Sequence, residues 1–296
     1  MMLSPRITVA LFLLLTGSSS CRSSDPALSV GQALDSLSLD TFVAHMSALS
    51  GDDFQGRRPG TAGYDSAAAY VARQAQNLGL EPSGMDGSYL QPIAFRRATV
   101  EPTATVFSVG DQMLTHGRDY LTAPRTTLVD VRVEAPLVFA GYGISAPGLG
   151  YDDFEGIEVE GKLVVVMAGA PDAFGSLERT VLSSSASRDA ELRERGARGV
   201  IVVQPEPLQS STRPRVDFVV PTEAASDIAA ATVPEELEAS LTVSQTVAAA
   251  WFDAAGRSLD DVRARLEAGE PTSFDLGLEG LVQARFDHEA FASSNV

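Results

Sequence analysis

The chain has 296 residues, 44% of them apolar, with 22 basic against 39 acidic side chains and a formal net charge of −17. That length suits one large domain or two ordinary ones with a real core. The acidic balance argues against nucleic acid and against electrostatic adhesion to anionic lipid, and a lone cysteine, Cys21, excludes an intramolecular disulfide.

The N-terminus reads as an export signal over residues 1–20. Arg6 precedes the apolar run Ile7 to Leu15, and small residues Thr16 to Ser20 lead to Cys21. The apolar run is too short to span a bilayer as a folded anchor. A cysteine directly after such a signal resembles the acceptor of a bacterial lipoprotein lipobox, with Ser18 standing where an aliphatic residue is usual. Ordinary cleavage before Cys21 is the other open reading. Residues 21–34 are a polar tether.

Ser38 or Asp40 can cap a first helix with Phe42, Val43, Met46 and Leu49 on one face, stopped by Gly51. A glycine-rich loop, Asp52 to Gly63, follows. Its Arg57 and Arg58 are residue types able to pin a carboxylate; a plain helix connector is the simpler reading. Tyr64, Ala67, Ala68, Val71, Ala75 and Leu78 then share a face of a second helix, closed by Gly79. Tyr89 to Phe95 and Thr103 to Val109 read as strands, the second turning at Gly110-Asp111.

The loop carrying Gly56, Arg57, Pro59, Gly60, Thr61 and Gly63, with Leu78 to Pro82 and Gly87 to Pro92, resembles the opening of the zinc aminopeptidases of metallopeptidase family twenty-eight. The resemblance implies an α/β/α peptidase domain that removes N-terminal residues from peptides with two zinc ions.

Leu137 to Ala140 reads as a short strand. The run Gly141-Tyr142-Gly143-Ile144-Ser145-Ala146 spells a dinucleotide-type glycine pattern, but Pro147, Gly148 and Gly150 leave no helix N-terminus for a pyrophosphate, so it is a turn. Tyr151-Asp152-Asp153-Phe154 holds two adjacent carboxylates that a strand would point to opposite faces; a turn solvated by both is expected. Gly161-Lys162 launches a buried strand, Leu163 to Met167. Ala170 to Ser187 is a polar surface excursion. A charged helical segment from Arg188 to Gly196 leads to a second buried strand, Val200 to Val203, expected parallel to the first. Gly141, Tyr142, Gly143, Tyr151, Asp152, Asp153, Gly161, Lys162, Gly196 and Ala197 resemble the marks of a protease-associated domain, which in that family is inserted near the start of the peptidase domain. The resemblance implies a small open β-barrel with flanking helices and a lid or contact role without chemistry of its own.

Further on, Asp217 to Val220 is a strand ended by Pro221, and Leu241 to Val243 is another. Ser244 caps a helix over Gln245–Ala254 with Val247, Ala248, Trp251 and Phe252 inward, and Leu259 to Leu266 is a short helix. Leu281 to Phe286 alternates as a strand does, and the resemblance makes it the return to the peptidase sheet.

Histidines number three, His45, His116 and His288. His288 to Ala292 begins like the HExxH zinc helix, but Ala292 takes the second histidine's place. No G-x-S-x-G elbow is present, so a covalent nucleophile has no support. The expected fold is mixed, α+β and α/β, an incomplete N-terminal part of a peptidase domain (35–110), an insertion (111–270) and a return strand (271–296). No catalytic or metal residue is expected in this chain, and two zinc ions only in a full-length family member. Expected partners are a peptide or protein ligand of the insertion, no nucleic acid, and a membrane only through lipid on Cys21. Three functional readings stand: the N-terminal portion of an exported aminopeptidase, a non-catalytic binding module of the cell envelope, and a remnant whose open sheet edge invites aggregation.

Overall fold

A computed structural model describes residue 31 and residues 37–204, 217–221 and 237–296, with the backbone alone for Met85 and 217–221. The export signal, Cys21 and, apart from Gly31, the tether lie outside the described residues. The chain divides into two units, Met1–Asp53 and Phe54–Val296. Among the described residues no helix is long and apolar enough to cross a membrane.

The described part of the first unit is essentially one helix, α1 (Leu39–Ser50), capped by the Ser38 hydroxyl, which accepts from Thr41 N at 3.2 Å. Its expected apolar face is not a core face: Phe42, Val43 and Met46 are all more than half exposed.

In the second unit, α2 (Ala62–Asn77) starts at Thr61, whose hydroxyl accepts from Tyr64 N. It ends in a Schellman arrangement in which Leu80 N donates to Ala75 O and Gly79 N to Gln76 O. Gly79 closes the helix as the sequence predicts. Ala67 and Ala68 are buried, but Leu78 is 78% exposed, since the cap turns the chain away before that residue can pack.

The strands are β1 (Gln91–Val100), β2 (Val106–Val109), β3 (Gln112–Leu114), β4 (Tyr120–Thr122), β5 (Asp130–Ala140), β6 (Ser145–Ala146), β7 (Tyr151–Asp152), β8 (Leu163–Met167), β9 (Gly199–Gln204), β10 (Asp217–Pro221), β11 (Ala239–Ser244) and β12 (Ser273–Asn295). Between them lie α3 (Ser176–Leu182), α4 (Ser185–Glu194), α5 (Gln245–Ala254) and α6 (Leu259–Glu267). One mixed sheet runs β10-β1-β12-β5-β8-β9-β11-β4, with β2 on β12 and β3 on β2, and β6-β7 form a small hairpin. Neighbours β5, β8, β9 and β11 are parallel and the other pairs antiparallel. The mixed α/β class expected from the sequence is the class observed.

The central parallel strands β8 and β9 are buried on both faces, which is why they read as unbroken apolar runs, whereas β11 alternates. Leu163, Val165, Ile201, Val203, Leu241 and Val243 enter one core with Phe107, Tyr120, Phe139, Trp251 and Phe252. Val164, Val166, Val200 and Val202 face the other way onto Leu192 and Ala197 at the end of α4. All four inward positions expected on α5 are buried, and Ser244 caps it.

The strand expected at Leu137 and the polar excursion also differ from the structure. β5 begins at Asp130, seven residues before Leu137, as an alternating strand. The polar excursion contains α3, a helix without a buried residue. The alternation at Leu281–Phe286 lies inside β12, which fills the 271–296 return segment. Residues Ser273–Arg285 pair with β5, Gly280–Gln283 with β2 on the other edge, and Phe286–Asn295 with β1.

Candidate functional site

The marked residues of the chain gather in two places, at opposite ends of β12. Both places are built by glycines that yield space to another group.

At one end the turn after β5 folds over a buried carboxylate. Gly141 and Gly143 have φ of 46° and 73°, in the left-handed region. Their turn points two backbone amides inward: Tyr142 N and Ile144 N donate to Asp153 Oδ2 at 2.9 and 3.1 Å. The Tyr151 hydroxyl donates to Asp153 Oδ1 at 2.8 Å. Asp153 N returns a bond to Ile144 O, and the Ser273 hydroxyl donates to Asp153 O. Asp153 is 1% exposed, so the expectation of a turn solvated by two aspartates is corrected. Asp152 stays at the surface, where its carboxylate accepts from Phe154 N. Burial raises the Asp153 carboxyl to about 7 against the pull of its three donors, and raises Tyr142 to about 12. Burial and the neighbouring Asp153 push the Tyr151 phenol up as well.

The second glycine pair lies alongside. Gly161 N donates to Gly196 O, and Arg198 N to Lys162 O, stitching the entry of β8 to the entry of β9. Gly196 ends α4 in the left-handed region, and Ala197 N reaches back to Leu192 O, both partners being buried. Arg195 lies 4.2 Å over the Phe154 ring. Lys162 therefore contributes its backbone.

At the other end the loop Gly56, Arg57, Pro59, Gly60, Thr61, Gly63 rests on β12. Gln55, Gly56 and Arg57 all have positive φ. A Cβ at Gly60 would run into the Phe291 ring, and one at Gly63 into the Phe54 carbonyl. Gly60 N donates to Ser293 Oγ at 3.4 Å, and the Thr61 hydroxyl to Arg58 O at 2.7 Å. Phe291 stacks on Phe95 at 5.5 Å and lies under Arg97. Arg57 is exposed and pins no carboxylate among the described residues. The companion segments are tied too: the Tyr89 hydroxyl donates to Leu80 O at 2.6 Å.

The residues present do not fit a two-zinc centre. Among the described residues no three His, Cys, Asp or Glu side chains converge. His116 is half-buried, which lowers its basicity, and its Nε2 accepts from Thr122 N at 3.4 Å. His288 Nε2 faces Arg125 O at 2.8 Å and so donates to it. The His288–Ala292 segment is a β-strand, so the turn spacing of a zinc helix is not available to it.

A groove of about 310 Å³ opens beside the buried carboxylate, lined by Leu149, Tyr151, Phe174, Glu178 and Gly269 among others. Tyr151 and Phe174 meet edge to face at 5.4 Å. Tyr151 is 2% exposed, so the groove offers chiefly Phe174 and the Glu178 carboxylate. The sequence does not reveal this groove, because its lining comes from three separate segments, 149–151, 173–178 and 268–269.

No protein-family model and no curated protein matches the chain. Among solved structures it is similar to an aminopeptidase from Aneurinibacillus sp. strain AM-1, at 16% identity and a TM-score of 0.41, covering 85% of this chain and 46% of that one. It is also similar to a zinc aminopeptidase from Bacillus subtilis, at 15% identity and a TM-score of 0.34, covering 85% of this chain and 44% of that one. The chain spans a little under half the length of the solved aminopeptidases it matches.

Proposed function

We propose that the chain is the N-terminal part of an exported, zinc-dependent aminopeptidase-like protein, carrying a protease-associated insertion that shapes access to a catalytic centre built elsewhere. The observation that carries this reading is β12, one strand shared by two structures. Its first half belongs with β5, β8, β9 and β11; its second half belongs with β1 and supports the glycine loop. The chain leaves β1 at Val100 and returns opposite it at Phe286, as an insertion must. Five of the residues that carry the family resemblance have a physical reason to be there: Gly60 and Gly63 for close approach, and Gly141, Gly143 and Asp153 for a closed turn. A lipid on Cys21 is part of the same reading.

A second reading is favoured by the groove at Tyr151 and Phe174: a cell-envelope module that binds peptide without cleaving it. Zinc-dependent hydrolysis of an aminoacyl-nitroanilide by the product of the whole gene separates the two. Activity confined to a product longer than this chain supports the first reading. Peptide binding by the chain, with no hydrolysis by any product of the gene, overturns it in favour of the second.

A further inference from the structure

The segment between Val100 and Phe286, read above as an insertion, is tied to the strands that flank it at more than its two ends. At the ends themselves the chain is held as strand. Glu101 N donates to Arg285 O at 2.9 Å and Phe286 N to Val129 O at 2.8 Å, so the junction is bonded on both edges of β12. The ladders of β12 shift register once, between Asp275 and Leu278, well inside the segment. Val100 and Phe286 lie in the same buried core as Phe107, Val131, Val133 and Ala284. The joint is therefore interior to a hydrophobic core.

Further ties cross beside it. Arg96 of β1 donates from Nη1 to Thr126 O at 2.9 Å, and His288 donates from Nε2 to Arg125 O at 2.8 Å. Both receiving residues, Arg125 and Thr126, are buried. β10 follows β9 in the chain, yet it pairs with β1, antiparallel, from Asp217 opposite Thr99 to Pro221 opposite Phe95.

We propose that the segment is a fixed wall and not a moving lid, forming one rigid body with β1 and Phe286–Asn295. A hinge consists of a few loop or element-terminal residues that absorb backbone rotation. Here both crossings are bonded into the sheet. Swinging the segment would break the junction bonds, both side-chain braces and the β10 ladder, and would open the shared core. An opening of that size approaches global unfolding. The consequence for access, an entrance of constant shape, rests on the first reading of function. The rigidity rests on the pairing and the braces alone.

Distances between nitroxide labels on the full chain test it. Cys21→Ser removes the one natural thiol. Ala290→Cys with Asp261→Cys then places an exposed label on each side of the junction, and Glu134→Cys with Asp261→Cys gives a pair inside the segment. Pulsed electron resonance should find one distance for the crossing pair, as narrow as that of the internal pair. Hydrogen exchange needs no substitution: the amides of Glu101 and Phe286 should exchange within about tenfold of those of Val164 to Val166. A broader or double distance, or junction amides that exchange faster than that, would overturn the proposal. Neither readout depends on peptidase activity, so loss of the peptidase reading would leave the rigidity standing.

Discussion

The carboxylate of Asp153 occupies the space that a side chain at residue 141 would need, so Gly141 and Asp153 form one unit. Gly141→Ala would put its Cβ into that carboxylate at a φ of 46°. Removing the carboxylate with Asp153→Ala would strand two buried amides. Each change should cost about 1–3 kcal/mol, the range for a buried polar group left without a partner and for strained backbone. Thermal or urea unfolding checks it. Loss of less than about 1 kcal/mol in both would show that the turn is not closed in this way.

Asp153 also sets a pH dependence. Its folded-state value is raised from 3.8 to about 7. A rising pH ionises the unfolded chain first, so the stabilising contribution is full below pH 4 and lost by pH 7. The slope is at most about 1.4 kcal/mol per pH unit. Asp153→Asn mimics the neutral form, with its carbonyl on the two amides and its NH2 on the Tyr151 oxygen. Subtracting the variant's stability curve from the wild type's should therefore leave a decline between pH 4 and 7. A flat difference would contradict the assignment.

Gly60 and Phe291 make a second coupled pair. Gly60→Ala should destabilise by about 2 kcal/mol, part from the ring contact and about 1 kcal/mol from its φ of 77°. Combining it with Phe291→Ala should recover the first part and leave the second. Strict additivity of the two changes in a double-mutant cycle would show that the loop does not rest on this ring.

Cys21 is expected to carry lipid in the mature protein. Mass spectrometry of the mature N-terminus should find an acylated cysteine, and Cys21→Ser should move the protein from the membrane fraction to the soluble one. An unmodified cysteine would rule out the anchor.

What the sequence reveals here follows from local patterns. The runs Leu163–Met167 and Val200–Val203 identify two doubly buried strands, and Ser244 with Val247, Ala248, Trp251 and Phe252 identifies α5, because caps and apolar spacing act locally. Local pattern cannot show Asp153 buried, because its burial depends on amides eleven and nine residues earlier and on Ser273, 120 residues away. Phe42, Val43 and Met46 show the reverse failure: their helical spacing is sound, yet spacing cannot say that a face is covered. Within β12 two glycines have local tasks that the pattern does not show: Gly277 lies in a bulge and Gly280 makes room for Leu137.

If the chain shapes access to a catalytic centre built elsewhere, as proposed, the purified full chain with added zinc should hydrolyse an aminoacyl-nitroanilide no faster than a zinc-only blank. Hydrolysis above the blank, abolished by a chelator, would overturn that proposal.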